Sequence, residues 1–388
     1  MPGSKTLSLQ TRAVHSGEPE RRPGAPITVP VYQSSMLLTG ELGSYDDIAY
    51  IRNNNTPNQT QLALKLADLE GGEAAVVTAS GMGAISATLL TVLGQGGHLI
   101  AQKSLYGGTY SFITQDFASL GLSHTFIDAT RPEGWDQARR PHTKAIYVEA
   151  LTNPRLDVAD LEGVVRFAHA HGLVSIIDST FATPVNLRPI ELGFDVVIHS
   201  ATKYLNGHSD LVAGCVIGRS ALIADVRHRM AHLGASADPH ACFLLQRGVK
   251  TLSLRVAAQN RGALEVAAWL EKHPKVAKVH YPGLPSHPQH ERAKRLFGGF
   301  GGVLSFELKG DARAADALLR RFRLLVHTVS LGGVETLVTR PAATSHASLT
   351  PQEREQAGIP DGLIRVAVGI EAPADLIADL DQALAAAS

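Results

Sequence analysis

Residues 194–210 read FDVVIHSATKYLNGHSD. The first half, Phe194 to Ile198, is apolar apart from Asp195 and is followed by small polar residues, and it reads as a buried strand. Directly past its end comes Lys203, among Ser200, Thr202 and Asn206. A lysine there is either an ordinary solvated loop residue or an amine held at the rim of a sheet. The segments around it decide which.

Six further apolar runs flank this one: AAVVTA (74–79), HLIAQ (98–102), HTFID (124–128), KAIYVEA (144–150), LVSIID (173–178) and LVAGCVIG (211–218). Helical segments such as DLEGVVRFAHAHG (160–172) separate several of them. Uninterrupted apolar strands alternating with helices predict a mostly parallel, seven-stranded α/β sheet covered on both faces. Beyond a helical stretch at 238–274, shorter patterns (KVAKVHYPG, GGVLSFELKG, DARAADALLRRFR, LLVHTVS, GLIRVAVGIE) predict a smaller C-terminal α+β unit closed by the helix ADLIADLDQALAAA. The first 60 residues are rich in Pro, Gly, Asn and Ser and read as an extended arm lacking its own core. The expected organisation is an N-terminal arm over 1–60, a large domain over 61–255 and a small domain over 256–388. A chain of 388 residues exceeds one ordinary core, in keeping with that division.

Bulk composition narrows the function. Lys plus Arg equals Asp plus Glu at 36 each, so nothing points to nucleic acid. The short basic runs at 138–140 and 320–323 read as solvated faces. The two cysteines, Cys215 and Cys242, make no disulfide framework or CxxC motif, and a reducing compartment fits. The N-terminus lacks a secretory apolar region. Residues 74–102 carry no charged side chain, but Thr, Ser and Gly interrupt them too often for a membrane span. A cytoplasmic protein without a membrane segment is expected. His280, His287 and His290 cluster in a Pro-rich stretch, yet their spacing matches no metal-binding helix, and with 17 histidines in the chain some clustering is ordinary. No metal is expected.

In open α/β sheets, ligands gather beyond the carboxyl ends of the strands. Those ends here carry Asp178; Ser200, Thr202 and Lys203; the SGMG turn (80–83) that opens a helix; SLYGGTY (104–110); and Glu149 with Asn153 close behind. A helix-opening Gly turn offers free N–H groups to a phosphate. Hydroxyls, a flat phenol ring, a carboxylate and an amine complete a set that pyridoxal phosphate requires: a Schiff-base lysine, an acid against the pyridinium nitrogen and an anion cradle. Each piece alone has a structural explanation, such as a helix cap, a turn, a core tyrosine or a solvated lysine. Together, in this order along the strands, they point to one cofactor.

The blocks IDSTFATP (177–184) and HSATKYLNGHSDLVAG (199–214) closely resemble the trans-sulfuration (Cys/Met metabolism) branch of fold-type I pyridoxal-phosphate enzymes. ASGMGAI (79–85), LYGGTY (105–110), EALTNP (149–154), SLGGVETLVTRPA (330–342) and GLIRVAVGIE (362–371) extend the resemblance over nearly the whole chain. It implies a fold-type I transferase architecture and a role for each matching position. Lys203 carries the cofactor as a Schiff base and serves as catalytic base. Asp178 pairs with the ring nitrogen. Gly81, Met82, Ser200 and Thr202 surround the phosphate, and Tyr106 stacks on the ring and protonates the leaving group. Arg365 clamps the substrate α-carboxylate, with Asn153, Ser330 and Glu149 nearby. Tyr50 and Arg52 reach the phosphate of a neighbouring subunit, implying a dimeric catalytic unit doubled to a homotetramer. The family usually reads Tyr-x-Arg-x-Gly-Asn-Pro there, whereas this chain reads YIRNNNTP, with one more residue before the proline and no glycine.

The resemblance implies γ-elimination on a sulfur amino acid, as in cystathionine γ-lyases, releasing a thiol, ammonia and 2-oxobutanoate. The alternatives are γ-replacement on an O-acylhomoserine, as in cystathionine γ-synthases and homoserine sulfhydrylases, or methionine γ-lyase activity. Gly108 stands where methionine γ-lyases usually carry Cys, and Val329 where many cystathionine-specific members carry Glu. Aminotransferase chemistry and a cofactor-free scaffold are the readings from outside this class.

Overall fold

The computed structural model describes residues 7–386 except 42, 348–349, 351, 353 and 355–357.

Seven strands form the main sheet: β1 (Ala74–Thr78), β2 (His98–Gln102), β3 (Ser123–Ile127), β4 (Thr143–Glu149), β5 (Val174–Asp178), β6 (Val196–His199) and β7 (Gly214–Gly218). Their order is β1-β7-β6-β5-β4-β2-β3, and all neighbours are parallel except β7, which is antiparallel to both β1 and β6. Ala145, Ile146, Tyr147 and Val148 of β4 and Val196, Val197 and Ile198 of β6 are all solvent-inaccessible. This is the burial a parallel strand acquires when helices cover both faces. The predicted alternation and mostly parallel sheet are thus present.

Two helices place the cavity described below. The first is α2 (Pro57–Glu70). Pro57 opens it, Thr56 and Gln59 form a capping box, and Gly71 ends it in the left-handed region at φ 77°. The second, α3 (Gly81–Leu93), follows β1. Its N-cap Ser80 accepts a hydrogen bond from Gly83 N at 2.9 Å.

The second sheet has the order β10-β11-β12-β9-β8, from β8 (Val276–His280), β9 (Val303–Leu308), β10 (Val326–His327), β11 (Leu337–Thr339) and β12 (Leu363–Ala367). The long helix Leu252–Lys272 and the last helix Pro373–Ala386 supply Val266, Leu270, Leu376 and Leu380 to its core. Strand β11 was not among the predicted strands. At three residues inside a Gly- and Thr-rich stretch, it is too short to show a period.

The N-terminal arm departs from expectation in its first part. Residues Leu9–His15 form a helix, α1, capped by Ser8. It docks on α2 of the same chain: Arg12 Nη1 donates to Asp68 O at 2.6 Å, Ser16 bonds Asp68, and the fully buried Lys65 Nζ donates to Ala13 O at 2.7 Å. Between residues 27 and 38 only Val29 is buried. Ile27 is 95% exposed and Leu38 fully exposed, with Tyr32 and Met36 also open. At YIRNNNTP, Ile51–Asn53 make one 3-10 turn, and Asn54 adopts the left-handed conformation at φ 57° that a glycine would otherwise supply. Its side chain is tied to β1 through Val77 O (2.7 Å) and Val77 N (3.3 Å).

Candidate active site

A cavity of about 630 Å³ opens at the carboxyl ends of β4, β5 and β6. It is lined by Gly81, Met82, Tyr106, Glu149, Asn153, Asp178, Ser200, Thr202, Lys203, Ser330 and Arg365, which converge from both sheets although 284 positions separate Gly81 from Arg365 (365 − 81). Every predicted site residue except Tyr50 and Arg52 is therefore in one place. Those two lie outside it. Arg52 packs over its own Tyr50 ring at 5.4 Å and donates to Tyr45 Oη (2.9 Å) and Ala231 O (3.3 Å).

At one end, the first turn of α3 presents the N–H groups of Gly81 and Met82, which have no intrahelical partner. A Cβ added to Gly81 would come within 2.8 Å of Ser200 Cβ, so only glycine lets the helix start approach this close. Ser200 donates its backbone N–H to Thr180 Oγ1 at 2.8 Å. The Thr202 hydroxyl is engaged with Ala213, donating to its carbonyl (3.1 Å) and accepting from its N–H (3.0 Å). Thr202 thus fixes the turn that carries Lys203 onto the rim.

In the middle, Asp178 ends β5 with its carboxylate inside the cavity. Its Oδ1 accepts from Thr180 N at 2.9 Å, and it makes no ion pair with a described residue. Burial raises its pKa while the Thr180 donors oppose the rise. Glu149 is its in-register neighbour on β4. Burial first, and the Asp178 charge second, push Glu149 well above the ordinary carboxyl range.

At the other end, Lys203 Nζ donates to Ser330 Oγ at 2.7 Å. Burial, and then the Arg365 charge, lower the Lys203 pKa to about 8. Arg365 is the one charged residue in the otherwise apolar β12 and is itself buried. Its Nη1 donates to Asn153 Oδ1 (3.0 Å) and its Nη2 to Ser330 O (2.8 Å), while Nε has no partner. Ser330 holds φ at 85°, a strained value for a non-glycine residue, and by this turns its carbonyl to Arg365 and its hydroxyl to Lys203. Tyr106 stays 45% exposed above the cavity, anchored through its backbone N–H to Glu149 Oε1 at 2.6 Å.

The donors fit pyridoxal phosphate. Unpaired N–H groups at a helix start suit a phosphate, a half-buried carboxylate without an ion pair suits a protonated ring nitrogen, and an amine of lowered pKa suits imine formation. Sequence reasoning passed over Thr180, which links Asp178 to Ser200, and His346, buried beside the backbone of Leu105 and Asn153 with its pKa lowered to about 4 by burial and the Arg365 charge. Thr180 stands two residues after Asp178, the spacing of an Asx turn, which was a usable signal.

The chain matches the family described as Cys/Met metabolism PLP-dependent enzyme over residues 10–385. It belongs to that family. Among characterised relatives, it is 42% identical to an L-methionine gamma-lyase of Porphyromonas gingivalis, covering 96% of each chain. It is also 42% identical to a cystathionine beta-lyase of Coxiella burnetii, covering 98% of this chain and 99% of that one. The crystal structure of cystathionine gamma-lyase from Lactobacillus plantarum complexed with L-serine superimposes with a TM-score of 0.93 at 36% identity, over 98% of this chain and 99% of that one. Membership makes this chain a pyridoxal-phosphate enzyme of fold type I, as the resemblance implied. Among the described residues, no helix is long and apolar enough to cross a membrane, and no group of His, Cys, Asp and Glu is arranged to hold a metal ion.

Proposed function

We propose that this enzyme carries out γ-elimination on thioethers of homocysteine, L-cystathionine and L-methionine among them, releasing a thiol, ammonia and 2-oxobutanoate. One observation carries the reading. Lys203 and Arg365 meet on a single residue, Ser330, through its hydroxyl and its carbonyl. An amino acid whose carboxylate lies on the Arg365 fork therefore presents its Cα–H towards the Lys203 amine.

Bound pyridoxal phosphate supplies the electron sink that makes the substrate Cα and Cβ protons acidic. Lys203 would carry the cofactor through its Nζ and, once free, could hold or move a proton there, since burial and the Arg365 charge lower its pKa to about 8. Asp178 would pair with the ring nitrogen and favour its protonated form. Gly81, Met82 and Ser200 hold the phosphate, with Thr202 shaping the turn. Arg365, steadied by Asn153, uses its unpartnered Nε and outer face for the carboxylate. Tyr106, at the cavity mouth, would cover the ring and could give its phenol proton to the departing sulfur. The sulfur substituent leaves past the exposed side chains of Val212 and Val329 at the cavity mouth.

Elimination rather than replacement is supported by the lyase names of the relatives above. The working unit is a homotetramer built from catalytic dimers, with the arm over 1–60 reaching a second copy, a cofactor domain over 61–255 and a small domain over 256–388, acting in the cytoplasm. The test gives the purified holoenzyme L-cystathionine, L-methionine and O-acylhomoserines, with and without an added thiol. 2-Oxobutanoate and ammonia from either thioether without thiol are expected. Pyruvate instead would assign β-elimination, and product only from an acyl donor plus thiol would assign replacement.

A further inference from the structure

Glu149 matches a family block but is explained by no step above, and its surroundings are unusual. Parallel β4 and β5 run in register with Glu149 beside Asp178. Neighbouring strands lie about 4.8 Å apart, so two carboxyls share one face at the cavity floor. Glu149 is 5% exposed. The groups facing the pair are the buried phenol of Tyr147 beneath, on β4; His199, at the end of β6, which is bound to Glu70 of α2 at 2.5 Å; and Lys203 and Arg365 across the cavity, occupied with Ser330 and Asn153. No described cation pairs with either carboxyl. Meanwhile Glu149 Oε1 takes the backbone N–H of Tyr106, and its own backbone N–H is fixed by Gln102 Oε1 at 2.9 Å.

We propose that Glu149 is a positioning residue that stays an uncharged carboxylic acid beside Asp178, leaving a single negative charge at the cavity floor while its carbonyl oxygen anchors the Tyr106 loop over the ring. A protonated ring nitrogen would balance one negative charge, so two like charges one strand apart at the cavity floor cannot both persist, and one carboxyl keeps its proton. Asp178 is the better-supplied site for the charge: the Thr180 N–H and hydroxyl and the Tyr147 phenol favour its charged form, against the N–H groups of Tyr106 and Asn153 at Glu149. The strong upward push on Glu149 by burial agrees. One acid then does two things. It avoids a second charge opposite a cationic ring, and it ties the aromatic lid to the strand that neighbours Asp178. The proposal rests on Lys203 carrying the cofactor and Asp178 facing its ring nitrogen.

Glu149→Gln keeps the shape and the carbonyl acceptor of a neutral acid, whereas Glu149→Ala removes both. Two properties of the holoenzymes are read: the pH midpoint of the visible cofactor band, and the rate of cofactor release on dialysis. Glu149→Gln is expected to leave the midpoint within about half a pH unit of wild type, because no charge is lost. Glu149→Ala is expected to release cofactor about tenfold faster, the loss of one anchoring hydrogen bond to the Tyr106 loop. A midpoint moved by about two units in Glu149→Gln would mean that a buried charge had been removed, and would overturn the proposal. It is equally overturned if Gln fails to restore what Ala loses, or if Ala releases cofactor no faster than wild type. Failure of the underlying assignment is seen separately, as a Lys203→Ala protein that retains a borohydride-sensitive band.

Discussion

Gly108 shows how tightly the residues around Tyr106 are fitted. A Cβ built there lies 2.6 Å from Tyr106 Cε1 and 3.1 Å from Met82 Sδ. The first distance cannot stand and the second is tight, so any side chain at 108 must swing the Tyr106 ring and crowd the Met82 side chain. Gly108→Ala should therefore lower kcat/KM on thioether substrates on the order of tenfold to a hundredfold, the scale of an ångström misplacement in an active site. Melting temperature should change little, since the ring stands at the cavity mouth rather than in the core. Steady-state kinetics beside a thermal melt checks this, and unchanged kinetics would show that the ring is freer than its neighbours allow. The fit also explains which residues could be read from sequence. Lys203, Asp178, Ser200 and Gly81 sit at strand ends or a helix start, where local pattern fixes position. Ser330 is reached only through the family resemblance and His346 not at all, because both owe their placement to contacts distant in sequence. The Ser330 hydroxyl finds Lys203 127 positions away, and no local period reports that.

At the scale of elements, the N-terminal docking was the least legible feature. A seven-residue helix is too short for an apolar stripe to declare itself, and α1 is held mostly by polar contacts to α2. The centre of that junction is Lys65. It is fully buried, with Glu18 at 3.2 Å and two backbone carbonyls of the 13–14 segment as acceptors. Burial lowers its pKa to about 8, against an ordinary lysine value near 10.5 in the unfolded chain. Between those values the unfolded chain binds the extra proton, so the contribution of this lysine to stability rises with pH across that window. Below pH 8 both states hold the proton and the contribution is flat. Denaturant melts of wild type and Lys65→Met from pH 7 to 10 isolate this group. The gap in unfolding free energy should widen in favour of wild type by up to about 2 kcal/mol as pH rises above 8. A gap that stays constant or narrows would contradict the burial of a charged amine at this junction.

At the scale of the molecule, the cavity gathers its residues from both sheets, yet Tyr50 and Arg52 stand outside it. The segment before them leaves Ile27, Tyr32, Met36 and Leu38 open to water. A chain gains nothing by exposing such side chains together unless another surface covers them. A second copy, related by a two-fold axis, is the simplest cover, since each arm then meets the same surface on its partner. In such a dimer every site draws Lys203 from one chain and Arg52 from the other. This arrangement has a specific consequence. Lys203→Ala and Arg52→Ala proteins should each be nearly inactive alone. Co-expressed, they form mixed dimers holding one intact site, so activity should return to about a quarter of wild type, the product of half the dimers being mixed and half their sites being whole. If Arg52 served its own chain, each site in a mixed dimer would still carry one lesion, and no activity would return. Sedimentation of the same samples must show species larger than one chain, because a monomer cannot complement.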